Sequence, residues 1–168
     1  SAPPVYRQLY EKQAPEKTAP ILDLSGHSSL LVLSAANVFF YLVAVISVGM
    51  PWLQPVKPLG RAKYGTAFPE GIAVLVLIGL ALASNILILT GWKDPLMWAR
   101  SMTICTTLAL LSVVVFLVLR PILGIGTGTG GKIGFSSPLE LTGWGAWVTL
   151  VACLIANVTT RMTRRSGF

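Results

Sequence analysis

One histidine, two cysteines and six carboxylates are the side chains of this 168-residue chain best suited to chemistry. His27 is the sole histidine, so a bis-histidine haem within the chain is excluded, and so is a hydrolytic triad that needs a histidine base. It is the one candidate cofactor-binding residue, able to ligate a pigment or to complete a haem site with a partner. Its place just ahead of a long apolar run fits an interfacial residue equally well. Cys105 and Cys153 both lie inside apolar runs, and no carboxylate stands near them to complete a four-ligand zinc site. They read as small packing residues. The carboxylates are too scattered for paired acid–base work. No catalytic residue and no metal ligand is therefore assigned, and a non-enzymatic role is expected.

Residues 126–132 read Gly-Thr-Gly-Thr-Gly-Gly-Lys, the glycine and lysine spacing of a phosphate-binding loop. The next residue is Ile133, where the motif needs a hydroxyl for magnesium. The motif also needs a preceding strand, and an apolar run precedes it here. A flexible inter-helix loop is the expectation. Asn157-Val158-Thr159 matches a glycosylation sequon but abuts the end of an apolar run. Leu-Thr-Gly-Trp occurs at 89–92 and at 141–144, closing one run and opening another, which argues against a true repeat.

The elements that would position these residues are four apolar runs, at about residues 30–50, 71–90, 102–119 and 141–158. None contains a charged side chain, and each is long enough to cross the hydrocarbon of a bilayer as a helix. Composition agrees: 54% of residues are hydrophobic, 11% are charged, and the mean hydropathy is +0.72. Soluble domains carry roughly 25% charged residues. The expected fold is an all-α bundle of four transmembrane helices, with both termini on the same side. It divides into a polar, proline-containing arm (1–28), the membrane domain (29–158) and a basic tail (159–168).

Punctuation supports these bounds. Pro51 follows the first run, Glu70 suits the positive end of the second helix, and Arg120-Pro121 is expected to stop the third. The brief Lys93-Asp94-Pro95 connection makes the second and third helices antiparallel neighbours. No cleavable secretory signal is read in the polar N-terminal stretch.

The net charge of +7 falls at run ends rather than on one soluble face, so the basic balance points to lipid headgroups and not to nucleic acid. Arg7, Lys12, Lys17, Lys93, Arg100, Arg161, Arg164 and Arg165 would share one side, against Lys57, Arg61, Lys63, Arg120 and Lys132 on the other. The positive-inside rule then sets the termini on the cytoplasmic or equivalent side. Trp52, Trp92, Trp98, Trp144 and Trp147 all fall near run ends, where an indole ring is expected to anchor at the interface.

Between helices in lipid, small and polar residues set the contacts. The fourth run carries Gly145, Thr149, Cys153 and Asn157 at four-residue spacing, and the second carries Gly79 and Ala83, followed by Asn85. Asn37 in the first run and Asn85 must each find a hydrogen-bond partner or a ligand. Gly79, Ala83, Asn37, Asn85, Gly145, Thr149 and Cys153 are thus the expected packing or partner-facing positions.

The leading expectation is a multi-pass accessory or structural subunit of a larger respiratory, photosynthetic or transport assembly. Its partners would be membrane lipids and other integral subunits, the latter also engaging the N-terminal arm. Two alternatives remain: an oligomeric transporter or channel lined by Asn37, Asn85 and Thr149, and a pigment-, quinone- or haem-associated subunit using His27. Lipid, quinone or chlorophyll contact would be the only cofactor chemistry.

Overall fold

The computed structural model describes residues 28–53, 63–92, 94–123 and 142–167. Its helices are α1 (Ser28–Val48), α2 (Pro69–Leu89), α3 (Pro95–Leu123) and α4 (Trp144–Gly167). All four are long and apolar enough to cross a membrane. The 21 residues of α2 span about 31 Å at 1.5 Å per residue, close to the hydrocarbon thickness of a bilayer.

Around the ring, α1 packs on α2, α2 on α3, α3 on α4, and α4 closes against α1. Side-chain hydrogen bonds fix each neighbour as antiparallel. Asn37 meets Thr163 while Ser47 meets Thr149, so α1 and α4 run in opposite directions. The start of α1, the end of α2, the start of α3 and the end of α4 therefore share one end of the bundle.

The opposite end holds two strands that the all-helical expectation did not include. β1 (Pro51–Leu53) pairs antiparallel with β2 (Lys63–Tyr64), and Leu53 also bridges to Thr142 just ahead of α4. A short 3-10 turn, Gly65–Ala67, leads from β2 into α2. There Pro69 takes the first helical position, where its missing N–H costs no bond, and Glu70 lies in the first turn.

Three helix bounds differ from expectation. α3 begins at Pro95, well before residue 102, because the Asp94 carbonyl accepts the Met97 amide at 3.1 Å and starts the helix. One charged residue, Arg100, stands exposed on its outer face without ending it. α3 also runs through Pro121 to Leu123. A proline in the last turn removes a single ladder bond, and its fixed φ suits a helix. α4 continues to Gly167, so the expected basic tail is its last two turns, and Arg164 and Arg165 complement the negative end of its dipole.

Polarity is inverted relative to a water-soluble bundle. Val32, Phe39, Ile46, Val76, Ile104, Leu111 and Leu154 are exposed, while Ser34, Asn37, Asn85, Thr106, Thr149 and Thr160 are buried. That distribution, with four long apolar helices, is consistent with a multi-pass membrane protein.

Candidate functional site

The most concentrated polar feature is a ladder of hydrogen-bonded side chains along the inward face of α1. Ser34, Asn37 and Tyr41 recur at helical spacing, which sets them on one stripe, and Ser47, further round the helix, is buried as well. Each reaches a neighbouring helix. Ser34 donates to the Asn85 carbonyl oxygen at 3.0 Å, and the Asn85 amide returns a bond to the Ser34 backbone carbonyl at 3.3 Å. This reciprocal pair ties α1 to α2.

The other three rungs tie α1 to α4. Tyr41 and Thr160 share a proton at 2.8 Å. Ser47 and Thr149 stand 2.7 Å apart, with Ala44 O 2.8 Å from the serine and Gly145 O 2.7 Å from the threonine. Two hydroxyl protons serve these three contacts, so one hydroxyl donates across the seam and the other back to its own helix. The Asn37 amide donates to Thr163 at 3.0 Å. The Thr163 hydroxyl in turn donates to the Thr159 carbonyl at 2.9 Å, so it acts as acceptor toward Asn37. Among the described residues, Asn37 Oδ1 is then left buried without a partner.

A separate polar pair joins α3 to α4. Asn157 donates to Thr107 at 2.8 Å and to Thr106 at 3.3 Å. Both threonines send their own protons to α3 carbonyls, which leaves their lone pairs facing the amide. Asn157 is thereby built into a helix seam, and its sequon is part of the packing.

Spacing alone put Gly79 and Ala83 in the same class as Gly145, Thr149 and Cys153, but they face opposite ways. Gly145, Thr149 and Cys153 are buried, as are Asn37 and Asn85. Gly79 and Ala83 are exposed, and a Cβ built on Gly79 meets nothing within 4 Å. Cys105 is buried too, and both cysteines carry free thiols.

The tryptophans also divide. Trp144 and Trp92 are 78% and 58% exposed, as an interfacial ring would be, while Trp98 and Trp147 are half-buried. Trp98 donates to the Trp92 carbonyl at 3.0 Å and so clasps the α2–α3 turn. Trp52 departs from the anchoring expectation, because its side chain is wholly buried. Its indole N–H donates to the Ser47 carbonyl at 3.2 Å, and its ring packs edge-on against Phe116 at 4.8 Å. Phe68 contacts the same Phe116 at 4.9 Å. Trp52 is a plug that closes the ribbon end of the bundle. Glycines make room for it: a Cβ on Gly65 would fall 2.6 Å from the indole, and one on Gly145 would fall 2.9 Å from it.

Sequence reasoning picks out Thr106 as a packing residue but misses Tyr41, Thr107, Thr160 and Thr163 as seam residues. The periodic recurrence of Ser34, Asn37 and Tyr41 in an otherwise apolar run is the available signal. His27 and the 126–132 motif lie outside the described residues, as does most of the N-terminal arm. Among the described residues, no group of three or more His, Cys, Asp or Glu side chains could hold a metal ion. Compared with protein-family models, curated proteins and solved structures, the chain matches none.

Proposed function

We propose that this chain crosses a bilayer four times and serves as a non-catalytic subunit that packs against the helices of a larger membrane assembly. The start of α1 and the end of α4 lie on the cytoplasmic or equivalent side. Arg100, Arg161, Arg164 and Arg165 cluster at that end of the described residues, and Lys63 and Arg120 lie toward the other, which is the bias the positive-inside rule reads.

The observation that carries the reading is the outward face of α2. Ser34, Asn37 and Ser47 of α1 and Gly145, Thr149 and Cys153 of α4 are consumed in bonds and close contacts inside the bundle. Gly79 and Ala83 are not, although a gap beside a glycine is where another helix backbone can approach most closely. Asn85 and Thr149, residues that would line a pore, bond within the bundle, which favours a packing role over conduction.

A photo-crosslinking amino acid at position 79, introduced in the native membrane, tests this. One protein adduct of defined mass, co-purifying at fixed stoichiometry, is the expected result. A monodisperse protein with lipid adducts alone would overturn it.

A further inference from the structure

The seam between α3 and α4 carries an arrangement of arginines that the packing role does not use. Asn157 and Thr107 are bonded across this seam at 2.8 Å, which sets the register of two antiparallel helices. Seven residues are close to two full turns, so a residue seven along falls on the same stripe about 10 Å further on. From Thr107 that step toward the start of α3 reaches Arg100, and from Asn157 the same step toward the end of α4 reaches Arg164. Arg100 and Arg164 thus stand at one height on facing stripes, and both are exposed. Arg161 lies within a turn of Arg164, and Arg165 next to it, both exposed as well.

Like charges brought to one seam repel unless an anion lies between them. The described residues contain two carboxylates. Glu70 is at the opposite end of the bundle, and Asp94 caps the start of α3 without pairing with any of these arginines. Arg100, Arg161 and Arg165 also end exposed apolar stripes, and Arg164 lies beside the last two. On α3, Arg100 is followed by Ile104 and Leu111; on α4, Leu154 and Val158 lead to Arg161 and Arg165. A molecule seated here would meet guanidinium groups at the end of the bundle and aliphatic side chains toward its middle.

We infer that the α3–α4 seam holds an anionic phospholipid, its phosphate between Arg100 and Arg164 and its acyl chains along the apolar stripes. A guanidinium presents paired N–H donors that match phosphate oxygens, and two opposed arginines fix the headgroup more firmly than a diffuse basic surface. The apolar stripes select a lipid over free phosphate. The inference rests on the membrane reading above.

The test is native mass spectrometry of the full chain released from nanodiscs of mixed phosphatidylglycerol and phosphatidylcholine. Wild-type protein is expected to retain one phosphatidylglycerol with a preference of about tenfold, and R100Q/R164Q to fall to within about twofold of no preference. Lys63→Gln, at the other end, should leave the preference intact. Should R100Q/R164Q not accumulate, R161Q/R164Q reads the same loss. Equal loss in Lys63→Gln would reduce the effect to bulk charge and overturn the inference, as would competition by inorganic phosphate at matched concentration. A gain of preference on neutralising Glu11, Glu16 and Asp23 would also overturn it, by showing that the chain's own acids occupy the arginines. Impermeant thiol labelling separates the two failures. If Val76→Cys, at an exposed position midway along α2, is shielded in nanodiscs but no lipid preference exists, the lipid site alone is wrong; if it labels freely, the membrane reading fails.

Discussion

Asn37 gives its amide proton to Thr163 across the α1–α4 seam, 3.0 Å away, while its own carbonyl oxygen is buried with no donor among the described residues. The Thr163 proton is directed to Thr159, so the pair is half-satisfied. A buried acceptor without a donor costs about 1–3 kcal/mol. A helix–helix hydrogen bond in a membrane is worth about 0.6 kcal/mol on average. Removing both at once is therefore not a loss.

Asn37→Leu, which keeps the same branched heavy-atom skeleton, should leave the bundle as stable as wild type or more so. Asn157→Leu removes an amide bonded to two threonines and should destabilise by about 1 kcal/mol. Reversible unfolding in mixed micelles compares the two. A larger loss for Asn37→Leu than for Asn157→Leu would mean that the Asn37 oxygen has a bonded partner in the membrane.

The two extremes of tryptophan burial give a second contrast. Trp52→Ala opens a cavity beside Phe116 and leaves the Ser47 carbonyl with the Met50 amide as its remaining donor, for an expected cost of about 3–5 kcal/mol. Trp144→Ala removes a ring that is 78% exposed and should change thermal stability little. Thermal denaturation in one detergent checks both. Similar small shifts would return Trp52 to an interfacial role.

The four helices are legible because each run is long and uncharged. Bounds were less legible. Arg100 suggested a loop, yet one arginine on an outward face sits on a helix as readily as beside it. Residue spacing located the stripes of α2 and α4 but could not tell which way either turned. Gly79 and Gly145 look alike in sequence; only the positions of Met50, Pro51 and Trp52 show that the second is enclosed. The role of Trp52 was hidden for a related reason. Tryptophan near a span end usually anchors, and only the surrounding glycines hinted that a ring had to be accommodated inside.

Gly91 supplies a backbone test. Its φ of 68° places it in the left-handed region, where it ends α2. Its amide bonds to the Ile88 carbonyl and the next amide, of Trp92, bonds to Leu87, both at 3.1 Å. This double bond pattern requires the positive φ. Gly91→Ala should cost about 1–2 kcal/mol and loosen the α2–α3 turn, read as faster amide exchange at Trp92. An unchanged exchange rate would show that the turn is held by the Trp98 clasp alone.

Gly79→Leu and Gly145→Ala separate packing within the bundle from packing outside it. A methyl at 145 would sit 2.8 Å from the Met50 side chain, and neither Pro51 nor Trp52 has room to retreat. Overpacking of this kind costs about 1–3 kcal/mol, so the isolated chain should melt earlier. A leucine at 79 enters open space and should leave the isolated chain unchanged. In the native membrane the order should reverse. On the proposed packing role, leucine at 79 would hold a neighbouring helix away and lower recovery of the assembly, whereas surviving Gly145→Ala protein would still offer an intact outer face. Quantifying co-purified partner per folded chain reads this directly. Equal recovery for wild type and Gly79→Leu would remove the α2 face from any interface.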